Sequence, residues 1–149
     1  NSPLCLDSKI HHNNLINNIL AKIEANHAGV DDALMLDIDG FVSETNATNI
    51  FMIKDGIVYT PFTKACLPGI TRQTVIDICQ SNNIPIIEKD ISVTEMYNAD
   101  EVFSTGTMGE LARVEEIDKR KIENKGDVLS NLQNLFRKLT EKDGEKIPF

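Results

Sequence analysis

The sequence predicts an α+β domain, and two features of its patterning indicate this class. Three segments repeat apolar residues at the three- and four-residue spacing of amphipathic helices. The stretches between them include short apolar runs, two of which surround an Asp-Gly pair, the strongest short signal for a β-hairpin. With 149 residues, the chain is long enough for one domain with a sizeable core.

The three helices are predicted over residues 13–27, 70–81 and 127–141. Gly29 follows the first of them, where a C-cap glycine would stand. The first and last helices each carry an apolar stripe, formed by Leu15, Ile16, Ile19, Leu20 and Ile23 and by Val128, Leu132, Leu135, Phe136 and Leu139.

The strands are predicted from the runs "ALMLDIDGFVSE" and "NIFMIKDGIVYTP", whose turns lie at Asp39-Gly40 and Asp55-Gly56. Residues 33–60 therefore predict a four-stranded antiparallel meander. Further along, "IPIIE" predicts a short buried strand and "TEMYNA" a helical turn. The stretch "DEVFSTGTMGELARVEEID" predicts a strand, a polar break and another strand.

Composition and charge exclude several classes of protein. The formal net charge of −8 argues against a nucleic-acid partner, whose phosphates require a basic face. No apolar run reaches the 18 or more residues of a membrane-spanning helix. Cys5, Cys66 and Cys79 are odd in number and lack metal-site spacing, which favours a reducing, cytoplasmic setting. His11 and His12 are adjacent and have no ligand-spaced partner, so no metal site is predicted.

Two hydroxyl-rich loops are candidates for binding an anion. In "CLPGITR", Gly69 permits close backbone approach, and the amides of Ile70 and Thr71 open a helix, a favourable place for an anion; the alternative is a plain helix start. In "STGTMGE", glycines and hydroxyl-bearing residues interrupt an apolar strand and leave backbone amides and hydroxyls available to a ligand. The alternative is structural, because strand ends and bulges show the same residues. Glu44 is at the end of an apolar strand, and the pattern alone predicts that its carboxylate is exposed to solvent there. Together the two loops indicate a phosphate-bearing ligand.

Four stretches in unbroken order, from about Lys9 to Ile122, resemble one known family: "NNILAKIEANHAG", "GFVSETNATNIFMIKDGIVYTP", "LPGITRQTVI" and "ADEVFSTGTMGELARV". They resemble the large C-terminal domain of the class IV, fold-type-IV pyridoxal-phosphate enzymes. That family includes branched-chain aminotransferases, D-amino acid aminotransferases and aminodeoxychorismate lyases. The resemblance implies a mixed or antiparallel sheet that forms a pseudo-barrel with flanking helices.

The resemblance implies a role for each candidate residue. Lys9 stands where the family's lysine forms a Schiff base with the cofactor pyridoxal 5'-phosphate and shuttles a proton; an amine attacks only in its neutral form, which a desolvated site favours. Glu44 matches the carboxylate that pairs with the pyridine nitrogen. The remaining matches are with cofactor and substrate contacts: Leu67 with the ring, Ile70, Thr71 and Thr107 with the phosphate, and Thr107 and Met108 with the substrate.

The implied activity is transamination between an amino acid, branched-chain or D-configured, and a 2-oxo acid, in a homodimer. Two alternatives stay open: an aminodeoxychorismate lyase, which shares the lysine chemistry but eliminates pyruvate, and a catalytically silent association domain. Family members also carry a small N-terminal domain. We therefore expect residues 1–149 to be a single C-terminal cofactor-binding domain, residues 1–8 to be a linker remnant, and the chain to be a truncated, weakly active or inactive fragment.

Overall fold

The computed structural model describes residue 2 and residues 6–10 and 13–143. Within these ranges the strands occur in runs of mostly antiparallel neighbours between the helices, as in an α+β domain. In chain order the elements are α1 (Ile16–Ala28), β1 (Leu34–Leu36), β2 (Val42–Thr45), β3 (Asn49–Lys54), β4 (Ile57–Thr60), α2 (Ile70–Ser81), β5 (Ile86–Glu88), α3 (Val93–Tyr97), β6 (Glu101–Gly106), β7 (Glu110–Arg113), β8 (Glu116–Ile117), β9 (Arg120–Lys121) and α4 (Val128–Asp143).

The main sheet has five strands in the order β5-β4-β3-β6-β7. Its neighbours are antiparallel except for β4 and β5, which are parallel and joined through α2. The α+β class with a mixed sheet is therefore confirmed. Parallel neighbours need a crossover of this kind, whereas antiparallel neighbours can be joined by tight turns.

Both predicted hairpins form, but the single four-stranded meander over residues 33–60 is wrong. Strands β1 and β2 pair with each other in a separate two-stranded sheet. Strand β3 instead lies between β4 and β6, and all of its residues except Lys54 are buried. A strand buried on both faces belongs at the centre of a sheet, so β3 pairs with the distant apolar strand β6.

The two Asp-Gly turns differ in backbone geometry, and the second has the geometry that its sequence predicts. In the second hairpin, Asp55 and Gly56 have φ values of 51° and 75°, as a two-residue type I′ turn requires. In the first, Gly40 has a φ of 84°, and the carboxylate of Asp37 accepts the backbone N–H groups of Asp39 and Phe41. These local bonds fix the turn independently of the sheet.

The core lies on both faces of the main sheet. On one face α2 and α4 cover an apolar cluster in which the rings of Phe51 and Phe103 are stacked with their centroids 4.9 Å apart. On the other face Ile50 and Val102 pack with Met96 of α3. Because side chains alternate along a strand, neighbouring residues of β3 and β6 supply opposite clusters.

The helix predictions are confirmed, with small differences in their ends. Helix α2 spans the predicted residues 70–81, and Gly29 ends α1 with a φ of 72°. Two details were wrong or missed. The run "IPIIE" forms β5, an edge strand in which Ile87 is 45% exposed, so this strand is not buried. The short β8–β9 pair was not predicted, because two-residue strands leave no periodicity to read.

Glu101 is fully buried and caps α4 from a distant strand. Its Oε1 accepts the backbone N–H groups of Val128 at 3.1 Å and Leu129 at 3.4 Å. The first amides of a helix lack intrahelical partners, and a carboxylate there also complements the helix dipole. Gly126 allows this contact, since a Cβ atom at that position would lie 2.3 Å from the same oxygen.

We predict that Glu101→Ala lowers the free energy of unfolding by about 2 kcal/mol or more, the scale of lost hydrogen bonds to a charged group. Glu101→Gln keeps an acceptor oxygen and should lose less. Urea unfolding followed by circular dichroism measures both. Glu116→Ala, at an exposed position in β8, is the control and should stay close to the parent chain. A Glu101→Ala variant as stable as its parent would contradict the capping role.

Candidate active site

Glu44 is a buried carboxylate held by the loop that precedes α2. It lies in β2 opposite Met35 and is only 6% exposed. Its Oε2 accepts the backbone N–H of Leu67 at 3.2 Å. A carboxylate taken out of water is costly unless hydrogen bonds or opposite charges compensate for it. The simple interpretation of Glu44 as a strand end in water is therefore wrong.

The carbonyl of Leu67 is held from a second strand. Asn49, the first residue of β3, donates its side-chain amide to Leu67 O at 2.8 Å, and the N–H of Gly69 donates to the same oxygen at 2.9 Å. Both backbone polar groups of Leu67 are thus used, one by Glu44 and the other by Asn49. Two strands thereby fix the loop that leads into α2.

Helix α2 begins with backbone amides directed at the space before it. Gly69 is the N-cap, has no side chain to bond to the helix, and accepts the first intrahelical bond, from Gln73 N at 3.0 Å. The amides of Ile70, Thr71 and Arg72 precede that bond, which is the arrangement that binds anions at helix starts. Ile70 is 87% exposed, so apolar packing does not explain its position.

Arg72 anchors the first turn of α2, a role that was not predicted from the sequence. It is 3% exposed, and its Nη2 donates to Pro61 O at 2.8 Å and to Glu88 Oε2 at 2.5 Å. These bonds tie the turn to the end of β4 and to β5. A basic residue in the first helical turn opposes the helix dipole, and that mismatch was the available sequence signal.

Cys66 is excluded as a nucleophile. Burial, followed by the nearby negative charge of Glu44, raises the pKa of the Cys66 thiol to about 12. Burial likewise raises the pKa of Cys79 to about 11. Both are free thiols, and at neutral pH both stay protonated and weakly nucleophilic. Cys5, His11 and His12 lie outside the described residues.

The second hydroxyl-rich loop is the turn between β6 and β7. Thr107 and Met108 are both exposed there, and the Met108 side chain is fully so. Gly106 brings the strand end close to the β2–β3 loop, since a Cβ atom on it would lie 3.1 Å from Thr48 Cγ2. The turn is thus close to the loop that follows Glu44.

Lys9 lies before α1 beside Asp7. Its backbone N–H donates to Asp7 Oδ1 at 3.1 Å, and its Nζ lies 3.6 Å from Asp7 Oδ2 with the side chain about half exposed. Lys54, at the end of β3, bonds Asp100 Oδ1 at 2.8 Å, and this bond raises the pKa of Lys54. Lys54 therefore keeps its proton and is a poorer nucleophile.

The described contacts bring together Glu44, Leu67 and the start of α2 with Ile70 and Thr71. Thr107 and Met108 share a turn near the β2–β3 loop, and Lys9 contacts Asp7 in the segment before α1. Within the described part of the chain, no group of three or more His, Cys, Asp or Glu residues is arranged to hold a metal ion. None of the helices described there is long and apolar enough to cross a membrane.

The geometry defines a class of protein: a mixed-sheet α+β domain in which a buried carboxylate lies close to the start of a helix. Comparison with known proteins narrows that class. The sequence model of the family "Amino-transferase class IV" matches residues 1–117. The chain belongs to the class IV aminotransferase family.

Individual relatives agree with this assignment. The chain is 61% identical over 150 residues to "Branched-chain-amino-acid aminotransferase-like protein 2" of Arabidopsis thaliana, covering 99% of the chain and 27% of that protein. It also matches the branched-chain amino acid aminotransferase of T.th., crystallised with pyridoxamine 5'-phosphate, at 34% identity and a TM-score of 0.90, covering 97% of this chain and 49% of that one.

A third match is with a differently named enzyme. The chain resembles a putative 4-amino-4-deoxychorismate lyase of Legionella pneumophila at 30% identity and a TM-score of 0.84, covering 87% of this chain and 49% of that one. The chain thus spans about half of these two structures and about a quarter of the Arabidopsis protein. The expected fold, that of the C-terminal domain of this family, is confirmed.

We predict that Gly69→Ala disturbs the start of α2. A Cβ atom at Gly69 would lie 2.1 Å from Asn49 Oδ1, so the side chain that holds Leu67 would have to move. Overpacking of this kind costs about 1–3 kcal/mol. Chemical denaturation measures the loss.

The control for this substitution is Gly109→Ala, whose added Cβ would meet only Ala112 Cβ, at 4.0 Å. A surface change of this type stays within about 0.5 kcal/mol. Equal effects of the two substitutions would refute the close packing of Gly69 on Asn49.

Proposed function

We propose that this chain is the cofactor-binding domain of an enzyme that uses pyridoxal 5'-phosphate to transfer an amino group between an amino acid and a 2-oxo acid. One observation carries the proposal: the loop from Leu67 to Gly69 joins the buried carboxylate of Glu44 to the start of α2, where the first backbone amides precede the first intrahelical bond. Pyridoxal phosphate has a ring nitrogen that a carboxylate can hold protonated and a phosphate that helix amides can bind.

The residues present fit this cofactor. Glu44 supplies the carboxylate, and the amides of Ile70 and Thr71 with the Thr71 hydroxyl supply donors for the phosphate. Thr107, on the neighbouring turn, adds a further hydroxyl. Leu67 supplies a partly buried apolar side chain for the ring, and its backbone is held by Glu44 and Asn49. A negative phosphate is also favoured by the positive end of the α2 dipole.

When bound, the protonated ring of the cofactor withdraws electrons from the amino acid's α-carbon. The chain's own residues prepare and use that property. Glu44 would hold the proton on the ring nitrogen from a site screened from water. Lys9 would attach the cofactor covalently and, once the substrate's amino group has displaced its own amine, would carry a proton to and from the substrate's α-carbon. Met108 presents its backbone amide to the substrate carboxylate. Asp7, bonded to the Lys9 segment, positions that lysine before cofactor binding.

A branched-chain amino acid is the substrate that the relatives favour, because the Arabidopsis protein and the aminotransferase crystallised with pyridoxamine 5'-phosphate both carry that name. The lyase reaction is the second candidate, supported by the structural match with the Legionella protein. The two are separated by their products, since a lyase releases pyruvate and an aminotransferase yields a new 2-oxo acid. The buried free thiols Cys66 and Cys79 support a cytoplasmic setting.

We propose that the chain forms a homodimer through the exposed apolar face of α1. The inner face of this helix packs against the rest of the domain: Ala25 is buried, and the Asn18 side chain donates to Asn46 O at 2.9 Å. Its outer stripe is apolar and 44–57% exposed, and comprises Leu15, Ile16, Ile19, Leu20 and Ile23. A contiguous apolar surface of this kind is typical of an association face.

Borohydride reduction in the presence of pyridoxal phosphate, followed by peptide mass mapping, tests the cofactor assignment. We expect one pyridoxyl group per chain, on Lys9, and none after Lys9→Ala. Lys64→Ala is the control, because Lys64 is an exposed partner of Asp90 and should leave labelling unchanged. Labelling scattered over several lysines, or absent altogether, would favour the silent association domain instead.

Leu20→Glu tests the association face. A charge in the apolar stripe has to be desolvated when two copies meet, so we expect the dimer dissociation constant to rise at least tenfold in sedimentation equilibrium. Asn17→Glu places the same charge on the flank of α1 and should leave association unchanged. A monomeric parent chain, or unaltered association of the Leu20→Glu variant, would reject this face.

A further inference from the structure

Thr105 has a buried hydroxyl that lacks a hydrogen-bond partner among the described residues. The residue is 2% exposed in β6, and its Oγ1 has no hydrogen-bond partner within the described part of the chain. A buried polar group left without a partner costs stability, and native proteins rarely keep one without a reason. By contrast Thr60, also fully buried, donates its hydroxyl to Ile50 O at 2.9 Å.

The sheet register places Thr105 beside the start of α2. Thr105 lies directly opposite Asn49 in the β3–β6 ladder. Side chains of residues opposite each other in such a pair stand on the same face with their Cβ atoms about 5 Å apart. Asn49 in turn bonds Leu67 O and abuts Gly69, the N-cap of α2. The Thr105 hydroxyl is therefore one strand away from the helix start.

The same strand leads to the second hydroxyl-rich loop. Thr107, two residues further along, lies in the β6–β7 turn. Thr105 thus lies on the strand that leads into the turn carrying Thr107, and opposite the residue that abuts the start of α2. Both the turn and the helix start lie at the end of the sheet where β6 finishes and β3 begins.

We propose that Thr105 is an additional phosphate-binding residue, whose hydroxyl donates a hydrogen bond to the anion at the α2 N-terminus. The inference rests on the proposed function, because the anion would be the phosphate of the cofactor. It gives the orphaned hydroxyl its partner. It also gives a reason for keeping a buried hydroxyl that lowers the stability of the unliganded chain.

Thr105→Val and Thr105→Ser, made in the full chain, test this role. Valine matches threonine in shape but lacks the hydroxyl, whereas serine keeps it. A hydrogen bond to a charged group corresponds to a factor of about ten or more in affinity. We therefore expect the dissociation constant for pyridoxal phosphate, from absorbance titration, to rise about tenfold in Thr105→Val. That for pyridoxal, which has no phosphate, should stay unchanged in both variants.

Unfolding without ligand separates binding from structural support. Thr105→Val should unfold at the same temperature as the parent or higher, because it removes an unsatisfied group. Thr60→Val is the matched control: it breaks an existing bond, so it should lower the unfolding temperature while keeping the ratio of pyridoxal phosphate to pyridoxal affinity. Equal loss of both ligands in Thr105→Val, or no loss, would overturn the assignment.

Inorganic phosphate distinguishes this inference from the proposed function. The parent chain and Thr105→Ser should be stabilised by added phosphate in a thermal shift assay, and Thr105→Val should respond much less. That pattern without any affinity for pyridoxal phosphate would reject the cofactor and retain the phosphate role of Thr105. A parent chain that binds neither compound would overturn both.

Discussion

The arrangement of the site depends on the two hydrogen bonds at the backbone of Leu67. Its N–H is held by Glu44 of β2 and its carbonyl by Asn49 of β3. A loop normally runs over the surface and moves because its backbone groups bond to water. Here both groups bond to buried side chains from two strands, so the direction in which α2 starts is set by the sheets. The helix amides are consequently held in place before any ligand arrives.

This constraint also explains why several residues around the loop are unusual. A glycine at position 69 leaves room for the Asn49 side chain, whose Oδ1 lies where a Cβ atom would stand. Arg72 is buried against the helix dipole because its bonds to Pro61 and Glu88 secure the other side of the same turn. Both residues are locally unfavourable, the glycine because of its backbone entropy and the buried arginine because of its charge near the start of a helix. Such local costs are typical of functional sites, where geometry matters more than stability.

Much of the local structure could be predicted from the sequence, whereas the long-range pairing could not. Helix α2 was predictable because Gly69 and an apolar period mark it, and the Asp55-Gly56 turn because its chemistry is specific. The division of the strands into separate sheets depends on the pairing of β3 with β6, about fifty residues away. The sequences of the two hairpins are similar and do not indicate which of them pairs with β6. The bond between Glu44 and Leu67 was equally invisible, since its donor is a backbone N–H that almost every residue possesses. The roles predicted for Lys9, Thr107 and Met108 came from family resemblance and stay predictions.

The anchoring of Leu67 has a consequence for the internal motions of the domain. The first turn of α2 cannot open without also releasing contacts to β2 and β3, so these segments should open together as one cooperative unit. Amide hydrogens around the helix start would then exchange with solvent almost as slowly as those of the central strands. The β6–β7 turn has no comparable restraint on the exposed Met108 and should exchange early. The domain would thus combine a fixed half of the proposed site, at the start of α2, with a mobile half at the β6–β7 turn.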